Sequence, residues 1–147
     1  MKKLNFLLLL MPLLFIGSTC SKEKDDCHKI ISVVNNSDNA IYVMADNSYP
    51  DTTYIKHSSG PALYPEYYKV FSNEINHNVL RDNKDCYEAI FNSETLLPSD
   101  TLMVFIFDAA IIENESWSVI MNEYKVLKRY DLSLADLQAL DWTITYP

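Results

Sequence analysis

Chemistry in this chain would have to come from few side chains, and its histidines are the first to consider. His28, His57 and His77 are the three present. None has a second metal-binding residue two to four places after it, whereas a zinc site ordinarily shows at least one such close pair. They read as surface or strand histidines, and no metal site is expected. A thiol nucleophile at Cys86 would need a base such as His77 or His57 beside it. Nothing local sets one there, so a structural or disulfide role is the better reading. Carboxylates are plentiful: Asp82, Asp85 and Glu88 flank Cys86, and Asp108, Glu113 and Glu115 follow an apolar run. A glycosidase needs two carboxyls across a cleft, a spacing set by the fold, and a domain of this size leaves little room for a sugar cleft. "DNKD" at 82–85 has the polarity of a calcium loop without its alternating oxygen ligands or its glycine, and reads as a solvated turn. Glycine occurs only at positions 17 and 60, which rules out a phosphate-cradling loop and a nucleophile elbow. No catalytic residue and no cofactor are expected.

Tyrosine is the residue in excess. Ten are present, and Tyr49, Tyr54, Tyr64, Tyr67 and Tyr68 crowd one stretch. Tyrosines in exposed loops give rigid contact surfaces with apolar rings and polar tips. These five are candidate ligand contacts, for glycan or protein. The competing reading is a cluster that packs over a sheet edge and anchors its loop.

The elements that would position such residues follow from the apolar pattern. "HKIISVVNNSDNAIYVMAD" reads as a β-hairpin, its second strand apolar on both faces and therefore inside a sheet. "NSYPDTTYIKHSSGPALYPEYY" is punctuated by Pro, Ser and Gly, so a long loop is expected, with a short strand at 54–57. "YKVFSNEINHNVLRDN" reads as strand, turn, strand. "KDCYEAIFNSE" has helical spacing. Leu102 to Phe107 is continuously apolar, as a central strand buried on both faces would be. "ENESWSVIMNEYK" reads as a helix capped by Asn114, with Trp117, Ile120, Met121 and Tyr124 on one stripe. "VLKRYDL" is a strand. "SLADLQAL" opens on a near capping box, Ser133 with Asp136, and turns Leu134, Leu137 and Leu140 inward. "DWTITYP" is a closing strand. The expected fold is mainly β (β-rich α+β): β-sandwich-like antiparallel sheets with two or three short inserted helices. Helices on one face of a mostly antiparallel sheet are the second choice.

Lys2 and Lys3 precede an apolar run from Leu4 to Ile16, too short to span a bilayer; small residues follow, then Cys20. That order is a secretory signal peptide. "GSTCSKEKDD" resembles the lipobox and tether of lipoproteins from Bacteroidota-type bacteria, with Gly17 where a branched aliphatic residue is usual. The resemblance implies cleavage before Cys20, lipidation of its thiol and an acidic tether at Asp25-Asp26 like those that mark some lipoproteins for the cell surface. Several acyl chains hold a protein stably on a membrane. The closing "YKVLKRYDLSLADLQALDWTITYP" resembles the end of uncharacterised small lipoproteins of gut Bacteroides-like bacteria, a likeness that implies no activity. The expected organisation is a signal peptide at 1–19, a lipidated flexible tether at 20–27 and one globular domain at 28–147.

With Cys20 acylated, Cys27 and Cys86 remain. An exported compartment permits a bridge between them; two unpaired thiols, with Cys86 a small buried hydrophobe, are the alternative. Formal net charge is −8, and loss of Lys2 and Lys3 with the leader takes −8 to −10. Nucleic acid, which demands a basic footprint, is excluded as a partner. The functional expectation is a non-enzymatic, outer-membrane binding or accessory module for glycan or another surface protein. Two rivals stand beside it: a small envelope hydrolase using carboxylates, and a structural subunit of a surface assembly.

Overall fold

The computed structural model describes residues 27–147, apart from Tyr64, Asn83 and the side chains of Tyr54 and His57. The expected leader, Cys20 and the acidic tether up to residue 26 lie outside the described residues. The strands are β1 Ile30–Asn35, β2 Ile41–Asp46, β3 Lys69–Val70, β4 Glu74–Arg81, β5 Leu102–Asp108, β6 Lys128–Leu132 and β7 Thr143–Tyr146. Short helices lie between them: α1 Thr53–His57, α2 Pro65–Tyr68, α3 Tyr87–Phe91, α4 Ala109–Asn114, α5 Trp117–Asn122 and α6 Leu134–Ala139, with a single 3-10 turn at Pro61–Leu63. The strands form one sheet of order β4-β1-β7 and a second of order β3-β2-β5-β6.

Two apolar clusters make three layers. Ile31 and Val33 of β1 and Ile144 of β7 meet Ile41 and Val43 of β2 and Val104 and Ile106 of β5, all buried between the sheets. On the far face of the second sheet, Tyr42, Met44, Met103, Phe105 and Phe107 pack against Ile55 of α1, Ile112 of α4, and Ile120 and Met121 of α5. This is why β5 is buried at every position from Leu102 to Phe107: its two faces serve two different layers. The chain is a β-sandwich whose second sheet also carries a helical cover, so features of both expected architectures occur together.

The structure departs from the sequence expectation at four places. First, β1 and β2 do not form a hairpin; β1 pairs with β4 and β7, and β2 with β3 and β5. β1 is fully buried only at alternate positions and suits an outer sheet, whereas β2 is buried on both faces and belongs in the middle. Asn35 closes the crossover. Its buried carboxamide donates to the carbonyls of Asn39 (2.8 Å), Val70 (3.3 Å) and Phe71 (3.1 Å) and accepts from the Ser37 amide (3.0 Å). Second, β7 runs parallel to β1, because α6 carries the chain from one sheet to the other before β7 begins. Third, residues 53–57 are helical rather than extended. Asp51 accepts from the Thr53 amide at the helix start (2.8 Å), and Ile55 anchors the turn in the helical layer. Fourth, the helix expected in "ENESWSVIMNEYK" begins only at Trp117, and a separate helix that the sequence did not announce, α4, precedes it. Asp108 caps α4, accepting from Ala110 N at 2.7 Å; Asn114 is its last residue rather than a cap, and α5 starts after Ser116. Ile120 and Met121 are buried as expected, while Tyr124, past the helix end, is exposed. In α6 the capping box of Ser133 and Asp136 forms and Leu137 is buried, but Leu140 at its end is exposed.

The sheet edges are blunted in different ways. β3 is two residues long. The Asn76 carboxamide of β4 donates to the Lys69 carbonyl of β3 (3.1 Å). β6 carries an Arg129–Asp131 ion pair. The Tyr130 hydroxyl caps the Thr145 carbonyl of β7 (2.9 Å). The brevity of β3, the charges on β6, the capped carbonyl of β7 and the bulge in the β1–β4 pairing each make an edge a poorer template for a passing strand.

Gly60 tests the helical layer. Its φ is +74°, and a Cβ there would lie 2.9 Å from Trp117 Cγ and Cδ2, while the Trp117 indole N–H is held by the Ile55 carbonyl at 3.0 Å. Gly60→Ala should cost about 1–3 kcal/mol through overpacking and a left-handed backbone. Thermal unfolding and Trp fluorescence read the loss; an unchanged midpoint would show that Trp117 yields freely.

Candidate functional site

The open face of the three-stranded sheet is built by alternation. With Ile31 and Val33 turned into the core, Ile30, Ser32 and Val34 face outward. Their register partners are Arg81 and Ile75 on β4 and Thr143 and Thr145 on β7. The apolar residues of α1, α4 and α5 pack on the other sheet, and this face keeps its side chains half-buried or exposed.

A bulge gives the face its polar centre. Ile31 opposes Leu80 while Val33 opposes Asn76, so Ser32 alone faces residues 77–79. Such irregularities re-aim side chains, and here they expose His77 and Asn78. His77 Nδ1 and the Ser32 hydroxyl lie 2.8 Å apart, which leaves the ring's Nε2 available. One depression of about 280 Å³ is lined by His28, Ile30, Ser32, His77, Asp141 and Trp142. A second of about 420 Å³ is lined by Glu66, Tyr67, Asn78 and Arg81. His77 and Asn78 are adjacent, and Ile30 opposes Arg81, so the two depressions are neighbours along β4, and together they are called the strip.

The far wall of the strip is fixed firmly. Cys27 and Cys86 form a disulfide with their Cα atoms 5.0 Å apart, so Cys27 belongs to the folded domain rather than to the tether. The next residue, His28, stacks on Trp142 with ring centroids 4.2 Å apart and planes 14° from parallel. Glu88 grips it twice, at the backbone N–H (2.9 Å) and at Nδ1 (2.5 Å). Asp141 and Trp142 both have positive φ, 48° and 54°, a costly conformation for non-glycine residues.

Partial burial pulls the Glu88 carboxyl up, but the hydrogen bonds from His28 outweigh it and hold the group below the usual carboxylate range. A depressed acid contributes stability above its unfolded pKa and loses it as pH falls through the folded value. Acid unfolding should therefore include a component below about pH 4.5 that Glu88→Gln removes. Superimposable stability–pH curves for the two proteins would show that the grip carries no free energy.

The five expected tyrosine contacts do not come together. Tyr67 is 58 % exposed and lines the strip. Tyr68 packs against the helical core. Tyr49 lies under the Arg129 guanidinium, 5.6 Å from ring centre to Cζ, near β6 at the opposite edge of the sheet from β3. The Tyr54 side chain and Tyr64 lie outside the described residues.

Several flagged carboxylates have structural work. Asp82 accepts from the Lys84 and Asp85 amides (2.7 and 2.8 Å). Asp108 caps α4. Glu113 takes Lys69 at 2.5 Å and the Tyr42 hydroxyl at 3.1 Å, and these bonds keep its carboxyl low. Burial first, then Glu113, pushes Tyr42 up to about 12. Glu115 pairs with Lys125. Among the described residues no group of three or more His, Cys, Asp or Glu could hold a metal ion.

Sequence reading missed Ser32, Glu66, Asn78, Arg81, Asp141 and Trp142. The available signal was "NHN" at 76–78, a polar run inside a strand. Comparison with known proteins brings no matching family model, no matching curated protein and no matching solved structure.

Proposed function

We propose that this chain is a lipid-anchored binding or accessory module of a bacterial cell envelope, tethered to the outer membrane through Cys20 and catalysing no reaction. The open sheet face is its contact surface. The observation that carries the reading is the strip itself: a bulged strand exposing His77 and Asn78 to two neighbouring depressions, with one wall pinned by a disulfide and a stacked histidine. A preorganised surface binds with less ordering cost than a mobile one. The anchor rests on the residue order around Cys20, the exported location on that order together with the disulfide.

The hydrolase alternative needs two carboxyls facing each other with one held protonated. Glu88 and Glu113 are instead held below their usual range, on opposite sides of the sandwich. The fibre-subunit alternative needs a free edge to extend, and the edges are blunted.

The tests are separate. Cys20→Ala should move the protein from the membrane fraction to the soluble fraction and abolish metabolic labelling with palmitate; retention on the membrane would remove the anchor. Hydroxyl-radical labelling of Tyr67 and His77 should be weaker on intact cells than on the purified domain. Equal labelling in both settings would remove the face as a contact surface.

A further inference from the structure

We infer that the strip across the α6–β7 turn, β1, β4 and α2 is a subsite for a neutral oligosaccharide, several sugar units long, laid across the strands. The inference rests on the binding-face reading above and names its ligand class.

Charge decides against other ligands. The strip's one guanidinium, Arg81, is set against the carboxylates of Glu66 and Asp141 in a chain of net charge −8. An acidic glycan or other polyanion would meet repulsion here. A cation has no cluster of ligands among the described residues. A lipid or apolar peptide would want a dry groove, whereas here Ile30, the rim of Trp142 and the Tyr67 ring are interleaved with Ser32, His77, Asn78, Arg81, Glu66 and Asp141.

What the strip does offer matches sugar hydroxyls, which donate and accept at once. Asn78 and Arg81 are planar donors, Glu66 and Asp141 planar acceptors, and each plane can bridge two neighbouring hydroxyls. His77, with Nδ1 engaged by Ser32, presents Nε2 in either role. Tyr67, 58 % exposed, supplies an amphipathic ring against which a sugar's C–H face can rest. His28 supplies a second aromatic plane, locked parallel to Trp142. Strands lie about 4.8 Å apart, so β7 to β4 alone spans about 10 Å, and α2 extends the path. A single sugar ring fills one depression; a chain of several reaches both.

The test uses the disulfide-bonded domain from Cys27 onward within the full mature chain. Calorimetry against maltohexaose, cellohexaose, mannohexaose and xylohexaose, with polygalacturonate as the acidic control, should find at least one neutral ligand, with its monosaccharide far weaker. Tyr67→Ala and Asp141→Asn should each weaken that binding about tenfold, while Lys125→Ala, outside the strip, should leave it unchanged. Four outcomes overturn the inference: no binding across the panel, equal affinity for the monosaccharide, indifference to both strip variants, or binding only to polygalacturonate that fades with salt. A photocrosslinker placed at Thr145 separates the failures. If no sugar binds but that probe captures an envelope protein on cells, the oligosaccharide falls and the binding face stands; if it captures nothing as well, both fall.

Discussion

Replacing Cys27 and Cys86 together with alanine should lower the stability of the folded domain by about 4 kcal/mol, the chain-entropy value for a loop of this size. The bridge joins residues 59 positions apart, and without it the unfolded chain regains the freedom that closure removes. For a small domain that is a large share of roughly 5–15 kcal/mol in total, and a melting point lower by about 10–20 °C should follow. Alanine is the cleaner choice at position 86. That residue occupies the N-cap of α3, where it makes no side-chain cap bond, and a serine could add one worth about 1 kcal/mol. Thermal melts with and without a thiol reductant give the control. The reduced natural chain should melt with the alanine variant, which reductant leaves unmoved. Oxidised and reduced forms melting together would mean that the Glu88 grip and the β1–β4 ladder hold the N-terminal segment without help.

Asn35→Leu should cost about 3–4 kcal/mol, close to the disulfide's share, although the two side chains differ little in size. Asn35 is 0 % exposed, and its carboxamide serves three carbonyls and the Ser37 amide. Leucine fills the space; the Phe71 and Asn39 carbonyls keep the Glu74 amide and the Ser37 hydroxyl, but the Val70 carbonyl and the Ser37 amide lose the carboxamide, at about 1–3 kcal/mol for each that water cannot reach. The effect is local to the arch between the sheets, so urea midpoints should shift at constant slope. Asn36→Ala, one residue on and exposed, should stay within about 0.5 kcal/mol. A leucine variant as stable as the natural chain would mean that water enters the arch and replaces the carboxamide.

The two positions also show what could be read in advance. Strand periodicity was legible wherever one pattern had one cause: the continuous burial of β5, the two buried faces of β2 and the capping box at Ser133 each occur as the residue types dictate. Partnership between strands was not legible. Ile30–Asn35 and Ile41–Asp46 look like a hairpin because the asparagines between them suit a tight turn; only Asn35's bonds to Val70 and Phe71, 35 and 36 residues away, reveal an arch. The same limit hid the strip. Ser32 and His77 are 45 residues apart, His28 and Glu88 are 60 apart, and no local spacing announces such pairs. The tyrosine excess pointed to a real exposed ring at Tyr67, but the helices of that stretch scatter its neighbours to different sides of the sandwich.

The blunted edges matter most when many copies share one surface. Molecules held by one end on a membrane meet far more often than in dilute solution, and always in similar orientations. Under those conditions a bare strand margin would invite neighbours to zip into ribbons. Under the proposed anchoring at Cys20, the hydroxyl of Tyr130 over Thr145, the salt pair on β6 and the brevity of β3 would let such a population stay dense yet separately mobile, each copy keeping its outward face clear.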